Sequence, residues 1–241
     1  MPHPPIELWL MSLFASFAGT SEFLDGVIHL LLTNDLLKGV PFGTALLLLW
    51  AVPREPHVAK ERTSLLTILL ATGFSLVIGR AMQNLIASPR PLMVPEMAAL
   101  YPPTFQDYRL DWNTFPSDHM ALYFTIALGV YSLRRALGIG LILWCLVGVG
   151  FARLSGGYHY PLDILGGIAI ASGSLSLTRS MHAWLEPSLA RLARLATLYP
   201  GLATAAMFII CFQVSTVFDT VRGLGEFGRV GMRLVLTALL Q

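Results

Sequence analysis

Apolar residues run through long stretches of the chain, at about 6–33, 40–53, 64–87, 117–133, 136–152, 160–178 and 199–218. A membrane-spanning helix needs about 20 predominantly apolar residues. The pattern therefore predicts an all-α fold: a polytopic membrane helical bundle of about six transmembrane helices. The first stretch is interrupted by Glu22, Asp25 and His29 and by a Gly-Thr-Ser turn at 19–21. It either spans with a break or forms a re-entrant or interfacial N-terminal segment. A last stretch, about 225–240, carries Arg229 and Arg233 one turn apart with apolar residues between, and reads as an interfacial helix. No repeat or low-complexity tract divides the chain, so residues 1–241 read as a single domain.

Composition agrees with a bilayer as the solvent. The chain is 55% hydrophobic and 12% charged, with a mean hydropathy of +0.66, whereas soluble domains carry about 25% charged residues. A net charge of +2 without any basic run gives no footprint for nucleic acid. Cys145 and Cys211 lie in apolar segments and point to neither a disulfide nor a metal site. The N-terminal MPHPPIELWL lacks the basic n-region and cleavage site of a signal peptide.

Basic residues then orient the bundle. Arg54, Lys60 and Arg62 lie in the connection 54–63, Arg134 and Arg135 in a tight turn, and Arg179, Arg191 and Arg194 in the connection 179–198. The positive-inside rule places these three on the cytoplasmic side of the cell (inner) membrane. The connections 88–116 and 153–159 then face outward.

Those outward connections hold the chemistry. In ARLSGGYHYPLD (152–163), His159 and Asp163 are four residues apart, with Arg153 six before the histidine. An imidazole with a carboxylate one helical turn away is an oriented nucleophile or base, and an arginine upstream can hold an anion against it. FPSDH (115–119) supplies His119, and SPRP (88–91) supplies Arg90. Two histidines and two arginines gathered at one membrane edge suit phosphate-ester cleavage. The histidines lack metal-ligand company, so no metal and no cofactor is expected. His3, His29, His57 and His182 have no motif around them. The residues Met93, Met97, Leu100, Tyr101, Phe105, Tyr108 and Trp112 form either an interfacial aromatic belt or an entrance for a lipid tail.

These blocks resemble the type 2 phosphatidic acid phosphatases, membrane relatives of vanadium haloperoxidases and bacterial acid phosphatases. That family carries Lys-x6-Arg-Pro, Pro-Ser-Gly-His and Ser-Arg-x5-His-x3-Asp. Here they read QNLIASPRP (83–91), PSDH (116–119) and ARLSGGYHYPLD (152–163), in the same order and with the same internal spacings. The resemblance covers about 64–179, the catalytic heart of the fold. It implies that His159 attacks phosphorus, Asp163 holds its tautomer, and His119 protonates the leaving oxygen and then activates water. Arg90 and Arg153 would grip the phosphoryl oxygens, with Ser117 and the backbone N–H groups at 117–119 adding donors.

The chain departs from the pattern at three positions. Gln83 stands where the family has lysine, Ala152 where it has serine, and Asp118 where it has glycine. Pro-Ser-Asp-His and HYPLD-x-LGG are similar to the bacitracin-resistance branch, which dephosphorylates undecaprenyl diphosphate. Arg80, a charge within an apolar helix three residues before Gln83, either partly replaces the lysine or pairs with Asp25 or Glu22. The expectation is a lipid phosphatase acting on a lipid phosphate or diphosphate, a polyprenyl diphosphate first. The alternatives are a phosphatidate or phosphatidylglycerophosphate phosphatase, a lipid phosphotransferase, and a non-catalytic carrier that keeps the site as a headgroup pocket. Membrane lipids are the expected surroundings, and oligomeric state is left open.

Overall fold

The computed structural model describes residues 5–53, 56–105 and 113–218. The interfacial helix expected at 225–240, together with Arg54, Tyr108 and Trp112, lies outside the described residues. Among the described residues the elements are helical. The first apolar stretch is two helices, α1 (Pro5–Ala15) and α2 (Glu22–Thr33), parted by a turn at the predicted break. The turn is held by Gly19, whose φ of +80° suits a residue without Cβ, and whose N–H donates to Asp25 Oδ1 at 2.8 Å. Ser21 then caps α2 by accepting from Leu24 N. Asn34 ends α2 and caps α3 (Asp35–Ala51), accepting from Leu37 N at 2.9 Å.

The rest of the bundle comprises α4 (Val58–Leu85), the short α5 (Pro95–Ala98), α6 (Asp118–Leu133) and α7 (Arg135–Trp144). A π-helical segment, Cys145–Phe151, carries α7 into α8 (Ala152–Ser155). α9 (Pro161–Ser180), α10 (His182–Leu198) and α11 (Pro200–Ser215) follow. Three helices are long and apolar enough to cross a membrane: Val58–Leu85, Arg135–Ser155 and Pro161–Ser180. α10 and α11 pass the same test only as a pair, bent by 118°. α3 and α6 have 17 and 16 residues, about 24–26 Å of helix against a hydrocarbon core of about 30 Å. Of the roughly six spans expected, three therefore meet the criterion among the described residues, or four with the bent pair.

α6 is the hub. It packs against α4, α7 and α9, and Met120, Ala121, Leu122, Tyr123, Ile126, Ala127 and Val130 are all fully buried. A helix apolar on every side needs neighbours on every side, which is why this short helix sits at the centre. Tyr123 stacks on Phe42 of α3 at 4.4 Å between ring centres. Outward-facing Val77, Leu85, Leu165 and Phe208 are well exposed and suit a lipid-facing belt.

Two of the arginine-rich connections meet. Arg134 grips Glu61 bidentately, at 2.5 and 2.9 Å, so the start of α4 and the α6–α7 turn share one end of the bundle. The third, 179–198, is mostly helix and not the plain connection its charges suggested. Leu189, Ala193 and Ala196 form its buried stripe, while Arg191 and Arg194 stay exposed. That helical spacing of small apolar residues gives it a face to pack.

Candidate active site

The arginine–histidine blocks converge at the other ends of α4, α6, α8 and α9. After α4, the 88–91 segment pairs with 113–114. Thr114 N donates to Ser88 O at 2.8 Å, Ser88 N to Asn113 Oδ1 at 3.2 Å, and Asn113 Nδ2 to Gln83 O at 2.8 Å. This clasp delivers Arg90, whose Nη1 donates to Tyr158 O at 2.9 Å and lies 3.4 Å from His159 Nε2. The π-helical turns before α8 add a residue to the repeat and change which side the next residues face. Ala152, Arg153, Leu154 and Ser155 are all buried as a result.

Gly157, at φ +73°, turns the chain from α8 to His159. A Cβ there would also lie 2.9 Å from Leu92 and 3.0 Å from the Tyr101 ring. Gly167 serves a different need. A Cβ on it would stand 2.7 Å from Met120 Cβ and Ser117 O. Its absence lets the start of α6 press against α9, and Ser117 N then donates to Asp163 O at 3.0 Å. The small residues of HYPLD-x-LGG thus bring the second and third blocks together.

His159 is fully buried. Its Nδ1 is 2.8 Å from Thr114 Oγ1 and 3.3 Å from Asp163 Oδ2. Thr114 Oγ1 in turn donates to Asp163 Oδ2 at 2.6 Å, and Tyr160 N donates to the same oxygen at 2.7 Å. With the hydroxyl proton committed to the carboxylate, Oγ1 accepts from His159 Nδ1–H. The tautomer follows from this network: Nε2 carries the lone pair and faces Arg90. Burial, aided by the Arg90 and Arg153 cations and opposed by the hydrogen bond to Asp163, pushes the His159 pKa down to about 4. The ring is neutral at neutral pH, with its lone pair on Nε2.

Arg153 is 5% exposed, and its buried Nε has no hydrogen-bond partner among the described residues. A buried guanidinium donor left open in this way suits an incoming anion. His119 sits at the start of α6, its Nδ1 2.8 Å from Asp118 Oδ1. Asp118 also accepts the His119 backbone N–H at 2.8 Å. Its carboxylate is thus turned onto the imidazole, whereas facing phosphate directly it would repel the anion. Ser117 Oγ caps α6. Gln83 Nε2 donates to Pro116 O at 2.9 Å, and Arg80 Nη1 donates to Gln83 Oε1 at 3.1 Å. Gln83 therefore props the loop bearing Ser117, and Arg80, exposed to the outside of the helix, braces Gln83. Asp25, one of the alternative partners for Arg80, is engaged by Gly19. Among the described residues, no group of three or more His, Cys, Asp or Glu is placed to hold a metal ion.

Sequence reading missed Thr114. It directly precedes FPSDH, and only the fold shows its hydroxyl between His159 and Asp163. Thr114→Val is expected to remove one donor from Asp163 and one acceptor from His159. Loss of a buried hydrogen bond of this kind costs about 1–3 kcal/mol. kcat should fall by roughly tenfold or more, while Thr114→Ser keeps most activity. Steady-state kinetics beside a melting curve tests this, and unchanged kcat in the valine variant refutes it.

Residues 64–187 match the model of the PAP2 superfamily. The chain is 29% identical over 160 residues to YbjG of Escherichia coli (strain K12), covering 66% of this chain and 75% of that protein. It is 27% identical over 146 residues to the bacitracin transport permease protein BcrC of Bacillus licheniformis, covering 59% of this chain and 66% of that one. It is 30% identical over 107 residues to the undecaprenyl-diphosphatase BcrC of Bacillus subtilis (strain 168), covering 43% and 52%. The crystal structure of Aquifex aeolicus LpxE superposes with a TM-score of 0.55 at 22% identity, over 73% of this chain and 96% of that one, and shares the fold. With a family model matching more than half its length, around a buried histidine, a carboxylate and two arginines, the chain belongs to the PAP2 superfamily as a helical membrane phosphatase.

Proposed function

We propose that this phosphatase hydrolyses a lipid diphosphate, with undecaprenyl or another polyprenyl diphosphate as the substrate class, through a phosphohistidine. The observation that carries the chemistry is the neutral His159, its Nδ1 tied to Thr114 and Asp163 and its Nε2 facing Arg90. Nε2 attacks phosphorus, an N–P bond forms and the P–O bond to the leaving group breaks. His119 gives its proton to the departing oxygen. Water then attacks the phosphohistidine, His119 takes a proton from that water, the N–P bond breaks and inorganic phosphate leaves. Arg90 and Arg153 hold the equatorial oxygens throughout. Asp163 stabilises the positive charge that develops on His159. The lipid preference is supported by the Pro-Ser-Asp-His block and by likeness to the Bacillus subtilis undecaprenyl-diphosphatase.

Two arginines supply the charge stabilisation, so turnover is expected without an added metal. Purified protein should release phosphate from farnesyl diphosphate equally with and without EDTA. Activity lost to EDTA and restored by magnesium would overturn the metal-independent mechanism. A panel including phosphatidate and phosphatidylglycerophosphate tests the lipid assignment, which fails if either outruns every prenyl diphosphate.

The site is proposed to face outward. The Arg134–Glu61 end of the bundle carries the arginines that the positive-inside rule places in the cytoplasm. In a variant lacking Cys145 and Cys211, cysteine at exposed Ala99 should react with an impermeant maleimide on intact cells, and cysteine at exposed Ala59 should not. The reverse labelling would place the site in the cytoplasm.

A further inference from the structure

The N-terminal helices lie outside the family-matched region, yet one of them reaches the catalytic histidine pair. Asp35, in the first turn of α3, places Oδ1 3.7 Å from His119 Nε2. The opposite ring nitrogen is the one bound to Asp118, so carboxylates bracket the imidazole at both ends. Lys38, one turn along α3, fixes Asp35 with a 2.6 Å contact from Nζ to Oδ1. Lys38 is 1% exposed, and its Nζ also donates to Leu32 O at 2.7 Å. The end of α2 thus anchors the lysine and the lysine anchors the carboxylate. Trp144 Nε1 donates to Lys38 O at 3.2 Å, which ties this turn to α7.

A buried lysine is expensive unless its charge is met. Packing of the apolar bundle has no need of this pair. Its geometry makes sense at His119. A distance of 3.7 Å is too long for a hydrogen bond. Asp35 therefore attracts a charged Nε2–H without consuming its proton, which stays available to a leaving oxygen. A bare carboxylate there would also repel an anionic substrate. Lys38 offsets that repulsion and keeps the carboxylate from turning onto the ring.

We infer that the Asp35–Lys38 pair is a positioning device for the acid–base function of His119, contributed by α3 from outside the family-matched region. The inference rests on the phosphatase reading above and adds residues to its site. Asp35 acts through His119 and does not touch phosphorus. Its effect on the first step, the one kcat/KM reports, must therefore scale with how much the leaving group needs a proton.

The test compares two substrates on the full-length protein in detergent. An alkoxide leaving from dihexanoyl phosphatidate needs protonation; the nitrophenolate leaving from p-nitrophenyl phosphate does not. Asp35→Asn is expected to lower kcat/KM on the alkyl phosphate by about tenfold or more, part of the 10²–10⁴-fold typical of general acids. On p-nitrophenyl phosphate it should change kcat/KM by less than about twofold, because kcat/KM stops at departure of the leaving group and excludes the later hydrolysis of the phosphohistidine, where His119 acts as base whatever the substrate. Asp35→Glu should recover part of the loss. Lys38→Gln should show the same selective loss, and the double variant should be no worse than the worse single, because the two act as one unit. If Asp35→Asn does not accumulate, Lys38→Gln reads the same ratio. Equal loss on both substrates, or a lowered melting temperature with an unchanged ratio, overturns the inference and leaves a structural ion pair. A wild-type protein that releases phosphate from neither substrate nor from farnesyl diphosphate overturns the phosphatase reading itself.

Discussion

His159→Ala should insert and purify normally and lose turnover by roughly four orders of magnitude or more, as removal of a covalent nucleophile does. The side chain is fully buried, so the variant leaves a cavity, and melting curves must accompany the kinetics. The companion measurement is direct. Wild-type protein quenched in base during turnover of radiolabelled diphosphate should retain acid-labile, base-stable label, and His159→Ala should retain none. Retention of more than about a hundredth of the wild-type rate would remove His159 from the nucleophile's role. Its pKa makes a further claim. Protonation of the imidazole removes the attacking lone pair, and that protonation occurs only as pH falls to about 4 in the folded protein. kcat/KM reports the free enzyme. Any acid limb between about pH 6 and 7, the range of an ordinary histidine, therefore belongs to another group.

Arg153→Gln should lower kcat/KM by about 10²–10³-fold, the range measured when one preorganised donor to a transition-state oxyanion is removed. The unpartnered Nε of this buried guanidinium is the reason for expecting a large effect. Arginine offers a planar fork and lysine a point charge, so Arg153→Lys should restore less than about a tenth of the activity. Because the charge is buried without a hydrogen bond on Nε, the glutamine variant should be no less stable than wild type. A variant that melts much earlier and retains normal kcat/KM would make Arg153 a structural cation.

The departures from the family pattern gain physical roles in the structure. Asp118 orients His119, and Gln83 donates a hydrogen bond to Pro116 O in the loop that Ser117 ends. Arg80 meets Gln83 and stays at the outer side of the helix. Beyond Arg90 and Arg153, a further cation, Lys38, one of only two lysines in the chain, stands behind Asp35.

Linear order was sufficient for much of this. Long apolar runs can only be helices in a bilayer, because every backbone N–H and C=O must be satisfied within the segment. The i, i+4 spacing of His159 and Asp163, and the three blocks at the ends of apolar runs, identified the chemistry from residue types and short distances alone. The number of spans was less readable, since a 16-residue helix at the bundle centre and a pair bent by 118° carry apolar runs much like those of the three helices long enough to cross a membrane among the described residues. The helix over 182–198 was hidden behind its arginines, whose charge masked a narrow buried stripe. Thr114 and Asp35 were invisible for a different reason. Each lies 45 or more positions of chain from the histidine it meets, His159 and His119 respectively. Contacts of that kind follow no period. They exist only once the clasp between 88–91 and 113–114, the close approach at Gly167 and the capped turn at Asn34 have set the helices against one another.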